Sequence, residues 1–383
     1  MEDVTLNPLK DRFPDETAVL ARVFDHTTTS YKLYWFKAIL TILGRGEQND
    51  IPIADILREM TILAWHTVTF FRLNLGHQDM LQHVVEEIHR RTHLDQQSDL
   101  EVVREAVLAN PDLVADTAQI VVYVPARFLA PWFSGELRGL RDAKKNVKIT
   151  ALALTHAETD LPALYHFVRC ENRPAIRVAA RWRSFLLKNY AVVKDFVDLH
   201  LVDYLQRRNP STPGIVHKLC LPPTRDLAYA RKYWDDVRRR LVEGANHDVF
   251  RDVYCGEVLE ATFAIDHFIP WSFVMHDLIW NLCPVSSSTN SSKGDRVPSL
   301  ENYLTPLATL HHQTLHFAKA NRRVSEMYID CFRQEVETLV NMPFQEFRNR
   351  MQDALLPLAK VAGNQGFETG WVVKTHNIPE IRV

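Results

Sequence analysis

Residues Ile265–Pro298 read IDHFIPWSFVMHDLIWNLCPVSSSTNSSKGDRVP, and the polar residues of this mostly apolar stretch fall at informative separations. Asp266 and His267 form a pair, and Pro270 comes three residues after the His. Asn281 follows fourteen residues after the His and Asn290 nine beyond that, with Lys293 and Asp295 close behind. At a strand end Asp266 and His267 would leave the backbone on opposite sides, because successive residues of an extended chain alternate. Pro270 and Ser272 lie in the loop that follows, where the fixed φ of proline helps hold an irregular turn. Leu278–Cys283 (LIWNLC) reads as a returning strand, with Trp280 and Leu282 on one face and Asn281 on the other. Ser286–Arg296 reads as a short helix that presents Asn290. His276 and Asp277 fall inside the loop and read as solvent-facing residues.

These residue types suit chemistry around one hard cation. Mg²⁺ prefers oxygen ligands and keeps several of its waters, so one carboxylate (Asp266) plus one amide oxygen (Asn290) is a plausible protein ligand set. A neutral imidazole near its usual pKa can take a proton from water at neutral pH, which is the part that suits His267. Asn281 reads as a brace for the loop backbone behind the His rather than as a ligand. Lys293, one turn after Asn290, and Arg296 are spaced to reach phosphate oxygens. Asp295 is a candidate supporting or capping residue.

The segment closely resembles the HNH (ββα-metal) endonucleases, and among them the HNH domain of the RNA-guided CRISPR effector nucleases. There Asp-His, Asn, Asn and Lys fall at matching separations, with a Pro three residues after the His. The resemblance implies an endonuclease that hydrolyses DNA phosphodiester bonds with Mg²⁺ or Mn²⁺ and leaves 5′-phosphate and 3′-hydroxyl ends. It implies Asp266 and Asn290 as metal ligands, His267 as general base, and Asn281 and Lys293 as further catalytic positions. One such module cuts one strand, so double-strand cleavage implies a homodimer or two successive events. The stretch SYKLYWFKAIL (Ser30–Leu40) resembles bacterial HNH-domain proteins found among phage-defence genes, which implies a restriction or anti-phage role. No guide-RNA apparatus and no second nuclease domain accompanies the motif.

Composition sets the bounds. Of 383 residues, 46% are hydrophobic and 24% charged, enough apolar material to bury a substantial core. The net charge of −2 gives no global signature of nucleic-acid binding, so any such face must be local. Two stretches are locally basic. Arg169–Lys188 carries six Lys/Arg against one acid, and Arg207–Glu243 carries nine against four. Arg181, Arg183, Arg238 and Arg239 are candidate DNA contacts, with aromatic residues interleaved. Five scattered cysteines without a CxxC give neither a disulfide framework nor a structural zinc site, and point to a reducing, cytoplasmic setting. The polar N-terminus is not a signal peptide, and no apolar stretch is long enough to span a bilayer. His311, His312 and His316 follow the motif at helical spacing but lack a carboxylate partner pattern, so they read as surface or packing residues.

Hydrophobic periodicity predicts helices over Tyr31–Leu43, Ile53–Phe71, Met80–Thr92, Leu100–Leu108, Asp112–Ala118, Ala175–Gln206 and Leu227–Leu241. After the motif it predicts helices over Tyr303–Ala318, Arg323–Val340 and Phe344–Leu356. Ile120–Val124 and Val147–Leu154 read as strands, and the proline-rich Arg208–Asp226 as a connector. The expected fold is α+β, a predominantly helical protein carrying a small ββα-metal module. The expected domains are a helical region 1–118, a mixed region 119–247, the HNH module 248–302 and a helical extension 303–383. A different reading makes the helical body a sensing or docking module whose nuclease is silent until a protein partner binds.

Overall fold

The structure is a computed structural model that describes residues 14–25, 27–46, 50–77, 79–115, 118–219, 225–243 and 250–373. Helices predominate and the strands form three small sheets, the α+β class expected from the sequence. The chain divides into two compact units, Met1–Pro210 and Ser211–Val383, with the boundary inside the expected 119–247 region.

The first unit is built round α1 (Tyr31–Gly44). Leu33, Tyr34, Trp35, Phe36, Ile39, Leu40 and Leu43 are all buried there, covering most of its circumference, so it is a central helix rather than a surface one. Strand β1 (Asp50–Pro52) leads into α2 (Ile53–Val68), which packs along α1. Glu59 of α2 is buried and accepts from Arg45 (2.8 Å) and Arg104 (2.6 Å). Burial pushes its carboxyl up, but the two guanidinium groups outweigh that and hold it below its ordinary value.

Three expectations fail in this unit. Ile120–Val124 and Val147–Leu154 are not strands but parts of α3 (Ala118–Phe128) and α4 (Asp142–Thr155). Short apolar runs do not by themselves tell a strand from one helical face, and tertiary contacts decide. Here the carbonyl of Pro125 in α3 accepts from the Tyr165 hydroxyl (2.6 Å), which in turn accepts from the Trp35 indole (3.0 Å). Tyr165 opens the true strand β2 (Tyr165–Cys170), paired antiparallel with β3 (Arg173–Val178), and β1 lies on the other side of β3. Glu171 and Asn172 make the hairpin turn, both at positive φ (48° and 68°), as tight hairpins require. Ala175–Val178, expected to begin a helix, therefore belongs to β3. The helix Ala180–Lys188 and then α5 (Tyr190–Arg208) follow.

In the second unit a short helix, Ile215–Leu219, precedes α6 (Ala228–Glu243). Strand β4 (Ala264–His267) pairs antiparallel with β5 (Leu282–Val285), with Asp266 opposite Cys283 and His267 opposite Leu282. The expected return strand begins later than its sequence suggests: Ile279–Asn281 is a single 3₁₀ turn. All four residues of β5 are buried, so no face of it alternates with solvent. Helix α7 (Ser287–Lys293) packs on β4, and β6 (Val297–Pro298) leads into α8 (Leu300–Lys319). Helices α9 (Arg322–Phe332) and α10 (Phe344–Asn364) complete the core, and β7 (Thr369–Trp371) returns to pair in parallel with β6. His311 is buried in α8, bonded to the Tyr328 hydroxyl (2.6 Å), and burial pushes its imidazole down to about 3. It is a neutral packing residue. No described helix is long and apolar enough to cross a membrane.

The buried Glu59 cluster generates a prediction. Glu59→Gln leaves two guanidinium groups facing a neutral amide and should destabilise the first unit by about 3 kcal/mol, read by denaturant unfolding. Because the folded pKa lies below the ordinary 4.5, the wild-type contribution is complete above about pH 4.5 and is lost as pH falls through the lowered value. The Gln variant should lack that acid dependence.

Candidate active site

The end of β4 places Asp266 and His267 side by side, and the surrounding elements fix each one separately. Asp266 is 4% exposed, and both of its carboxylate oxygens are held. Oδ2 accepts from the Tyr254 hydroxyl (2.7 Å) and Oδ1 from Lys293 Nζ (3.1 Å). Burial and the neighbouring carboxylate push the Tyr254 hydroxyl far up, so it stays a neutral donor. Lys293 also donates to the His267 carbonyl (2.7 Å), which ties α7 to the strand end.

Helix α7 is set by its cap. Ser286 Oγ accepts from the Thr289 amide (3.1 Å), while the Ser286 amide donates to Asp252 Oδ2 (2.8 Å). Asn290 lies three residues before Lys293 and so shares its helical face, which Lys293 shows to be turned toward Asp266. Asn290 is half-buried, and its side-chain amide has no hydrogen-bond partner among the described residues. Asn281, fully buried, uses its amide as a two-way clamp. Its Oδ1 accepts from the Ile269 amide (2.9 Å) and its Nδ2 donates to the Ile269 carbonyl (3.0 Å).

Residues 252–299 match a family model described as HNH endonuclease. This segment is an HNH module. Its matched span runs from Asp252, which anchors the Ser286 cap, to Ser299, which caps α8. No curated protein and no solved structure matches the chain. HNH nucleases generally use a divalent metal, and the donors here fit a hard one. Among the described residues no three His, Cys, Asp or Glu side chains cluster as a cage, which leaves one carboxylate and the unpartnered Asn290 amide.

The structure adds a residue to the HNH module that the sequence reading set aside. Asp277 is not a solvent-facing loop residue: its Oδ1 lies 2.7 Å from His267 Nε2, and its Oδ2 accepts from the Asp226 amide (3.0 Å). Burial pushes its carboxyl up, but the His267 bond, the Asp226 amide and the Arg225 charge hold it below its ordinary range. His276 is likewise not a solvated loop residue. Burial, with the His267 charge, pushes it down to about 4, so it is neutral at pH 7. The loop carrying both is pinned from the connector side. Lys218 is buried and donates to the carbonyls of Ser272 (2.8 Å) and Phe273 (2.6 Å), while burial lowers its amine to about 7. Lys218 and Asp277 carry no motif signal, because each is recognisable only by what the folded loop brings to it.

Lys293 is the main correction. It was expected to reach a phosphate, but it is 1% exposed and its ammonium is committed to Asp266 and the His267 carbonyl. Arg296 folds back as well, donating to the Lys293 carbonyl (3.1 Å) with its guanidinium 5.8 Å from the Trp371 ring. Arg239 and Arg240 both pair with Asp236, and Arg238 beside them is half-buried. Arg181 and Arg183 belong to the first unit, where Arg181 is bonded to Glu16 and to the Asp160 carbonyl.

The Asn281 clamp yields a stability prediction. Asn281→Ala strips two buried backbone groups of their partners and should lower the unfolding free energy of the second unit by about 3 kcal/mol. A loss well under 1 kcal/mol by denaturant titration would show that the loop does not depend on the clamp.

Proposed function

We propose that the protein is a divalent-metal-dependent endonuclease that hydrolyses DNA, with His267 as general base and Asp266 and Asn290 as the residues that would hold the metal. The observation that carries this reading is the 2.7 Å bond between His267 Nε2 and Asp277, beside Asp266 on the same strand end. An ionised Asp277 can only accept, so Nε2 carries the imidazole proton and Nδ1 keeps its lone pair. Nδ1 has no hydrogen-bond partner among the described residues and is available to a water.

Hydrolysis then runs as follows. His267 Nδ1 takes a proton from water as the water oxygen bonds to phosphorus. The bond from phosphorus to the 3′ oxygen breaks, and that oxygen leaves with a proton from solvent, giving 5′-phosphate and 3′-hydroxyl ends. A bound divalent cation supplies charge stabilisation at the phosphate oxygens in the transition state. Asp277 holds the imidazole in its tautomer and shares the positive charge that develops on it. Tyr254 and Lys293 hold Asp266 in place. Asn281 keeps the Ile269 backbone, and with it the start of the loop, fixed behind His267. The resemblance of Ser30–Leu40 to proteins of phage-defence gene clusters favours a restriction or anti-phage role.

The test is nicking of supercoiled plasmid with Mg²⁺ or Mn²⁺, with an RNA substrate in parallel. His267→Ala and Asn290→Ala should each lower the rate by about 100-fold or more, and Asp277→Asn by about 100-fold through the wrong tautomer. Equal cutting by wild type and His267→Ala would overturn the assignment. A folded wild type that cuts neither DNA nor RNA would favour a nuclease released by a protein partner docking on the first unit.

A further inference from the structure

With Lys293 committed inward, the floor of the site is poor in free positive charge. Asp266 is neutralised by Lys293, while Asp277 remains an anion beside the imidazole. A polyanionic substrate must still be brought against it. Two exposed arginines of the second unit, Arg225 and Arg323, form no ion pair with a carboxylate among the described residues, although the Arg225 charge is felt at Asp277. Each is laid on an aromatic ring: Arg225 lies over Trp271 (5.0 Å to the centroid) and Arg323 over Tyr229 (4.0 Å). A guanidinium seated over a ring is supported on one side, keeps its N–H donors for a phosphate and loses little freedom on taking one.

Both lie at the His267–Asp277 edge. The residue after Arg225 donates its amide to Asp277 (3.0 Å), and Trp271 stands four residues after His267 in the same loop. Tyr229 is one turn further along and half-buried, and its hydroxyl oxygen is enclosed without a hydrogen-bond partner in the described structure. Burial raises that hydroxyl most, the Asp277 charge adds to the rise and the Arg323 charge opposes it, so Arg323 acts on the same edge from α9. Helix α9 also packs against the Ile279–Asn281 turn of the module. By contrast the neighbouring Arg322 is bonded to Glu326 (2.8 Å) and lies over no ring among the described residues.

We infer that Arg225 and Arg323 form a two-point cationic rim that holds the backbone phosphates of a nucleic acid beside the one to be cut. This rests on the nuclease reading and assigns it a substrate-holding edge outside the matched segment. Neither arginine takes a proton or touches the reacting oxygen, so the rim should act on substrate binding.

The experiment is fluorescence anisotropy of labelled duplex DNA, and of RNA of the same sequence, bound to His267→Ala protein without metal over a salt series. In that background Arg225→Ala/Arg323→Ala should weaken binding by about tenfold or more and flatten the log Kd against log salt slope by about 2. Arg225→Lys/Arg323→Lys should keep the slope, and Arg322→Ala should match its parent. Since both side chains are exposed, an unchanged melting temperature checks folding, and Arg225→Gln/Arg323→Gln repeats the test with less loss of volume. Unaltered affinity and slope in the Ala and Gln pairs would overturn the rim while leaving the nuclease reading intact. A parent that binds neither DNA nor RNA would overturn both. Binding of RNA alone, with the same losses, would support the rim and change the substrate.

Discussion

A carboxylate cannot be buried as an anion without partners, and Asp266 is the point at which this protein meets that demand. Its two oxygens are held by one cation and one neutral hydroxyl, Lys293 and Tyr254, from opposite sides in sequence. Removing either would leave a buried charge only half compensated, a far larger penalty than the loss of one hydrogen bond suggests. The pairing therefore does two things at once. It holds the carboxylate in one orientation, and it locks α7, with Asn290 on it, to the end of β4.

The rest of the second unit is arranged to keep these partners where they are. Tyr254 is enclosed edge-on by Tyr303 (5.0 Å) and Trp371 (5.2 Å), which come from α8 and β7. Asn281 fixes the start of the loop through Ile269, and Lys218 fixes its middle through the Ser272 and Phe273 carbonyls. Asp277 is thereby delivered to His267 from a loop whose regular structure is limited to the short helix Trp271–Val274 and the 3₁₀ turn Ile279–Asn281. The bond between the two fixes which ring nitrogen His267 turns away from Asp277, a choice that a freely rotating imidazole would not make.

Much of the site was legible in the sequence, since Asp266, His267, Asn281 and Asn290 are defined by residue type and by separation along one short hairpin and helix. Those separations are local, so a strand-loop-strand-helix reading places them without knowing what packs around them. Asp277 and Lys218 were not legible. Their roles come from bonds to His267, to the Asp226 amide and to loop carbonyls, which no periodicity encodes. Lys293 was legible as a position but not as a direction: its spacing suits a phosphate and a buried carboxylate equally, and burial decides between them. The same limit explains the fold errors. Ile120–Val124 is apolar enough for a strand, but it is a turn of α3 whose Ile120 and Val124 are buried while Val122 and Tyr123 face out, with Pro125 tied to Tyr165. The hairpin at Glu171-Asn172 was hidden because arginines occupy both of its flanking strands, and apolar alternation is weak there.

The parallel pairing of β7 with β6 has a consequence for how the protein is made. The Val297 amide donates to the Glu368 carbonyl (2.8 Å), and the Ser299 amide to that of Trp371 (2.9 Å). The backing of Tyr254, and through it of Asp266, thus includes a strand that the ribosome delivers only after α8, α9 and α10 have been synthesised. Chains fold as they emerge, and a unit closed by its last strand acquires its final order late. Translation order thereby acts as a delay on the final support of the Asp266 carboxylate, so a nascent or truncated chain lacks what holds it in place.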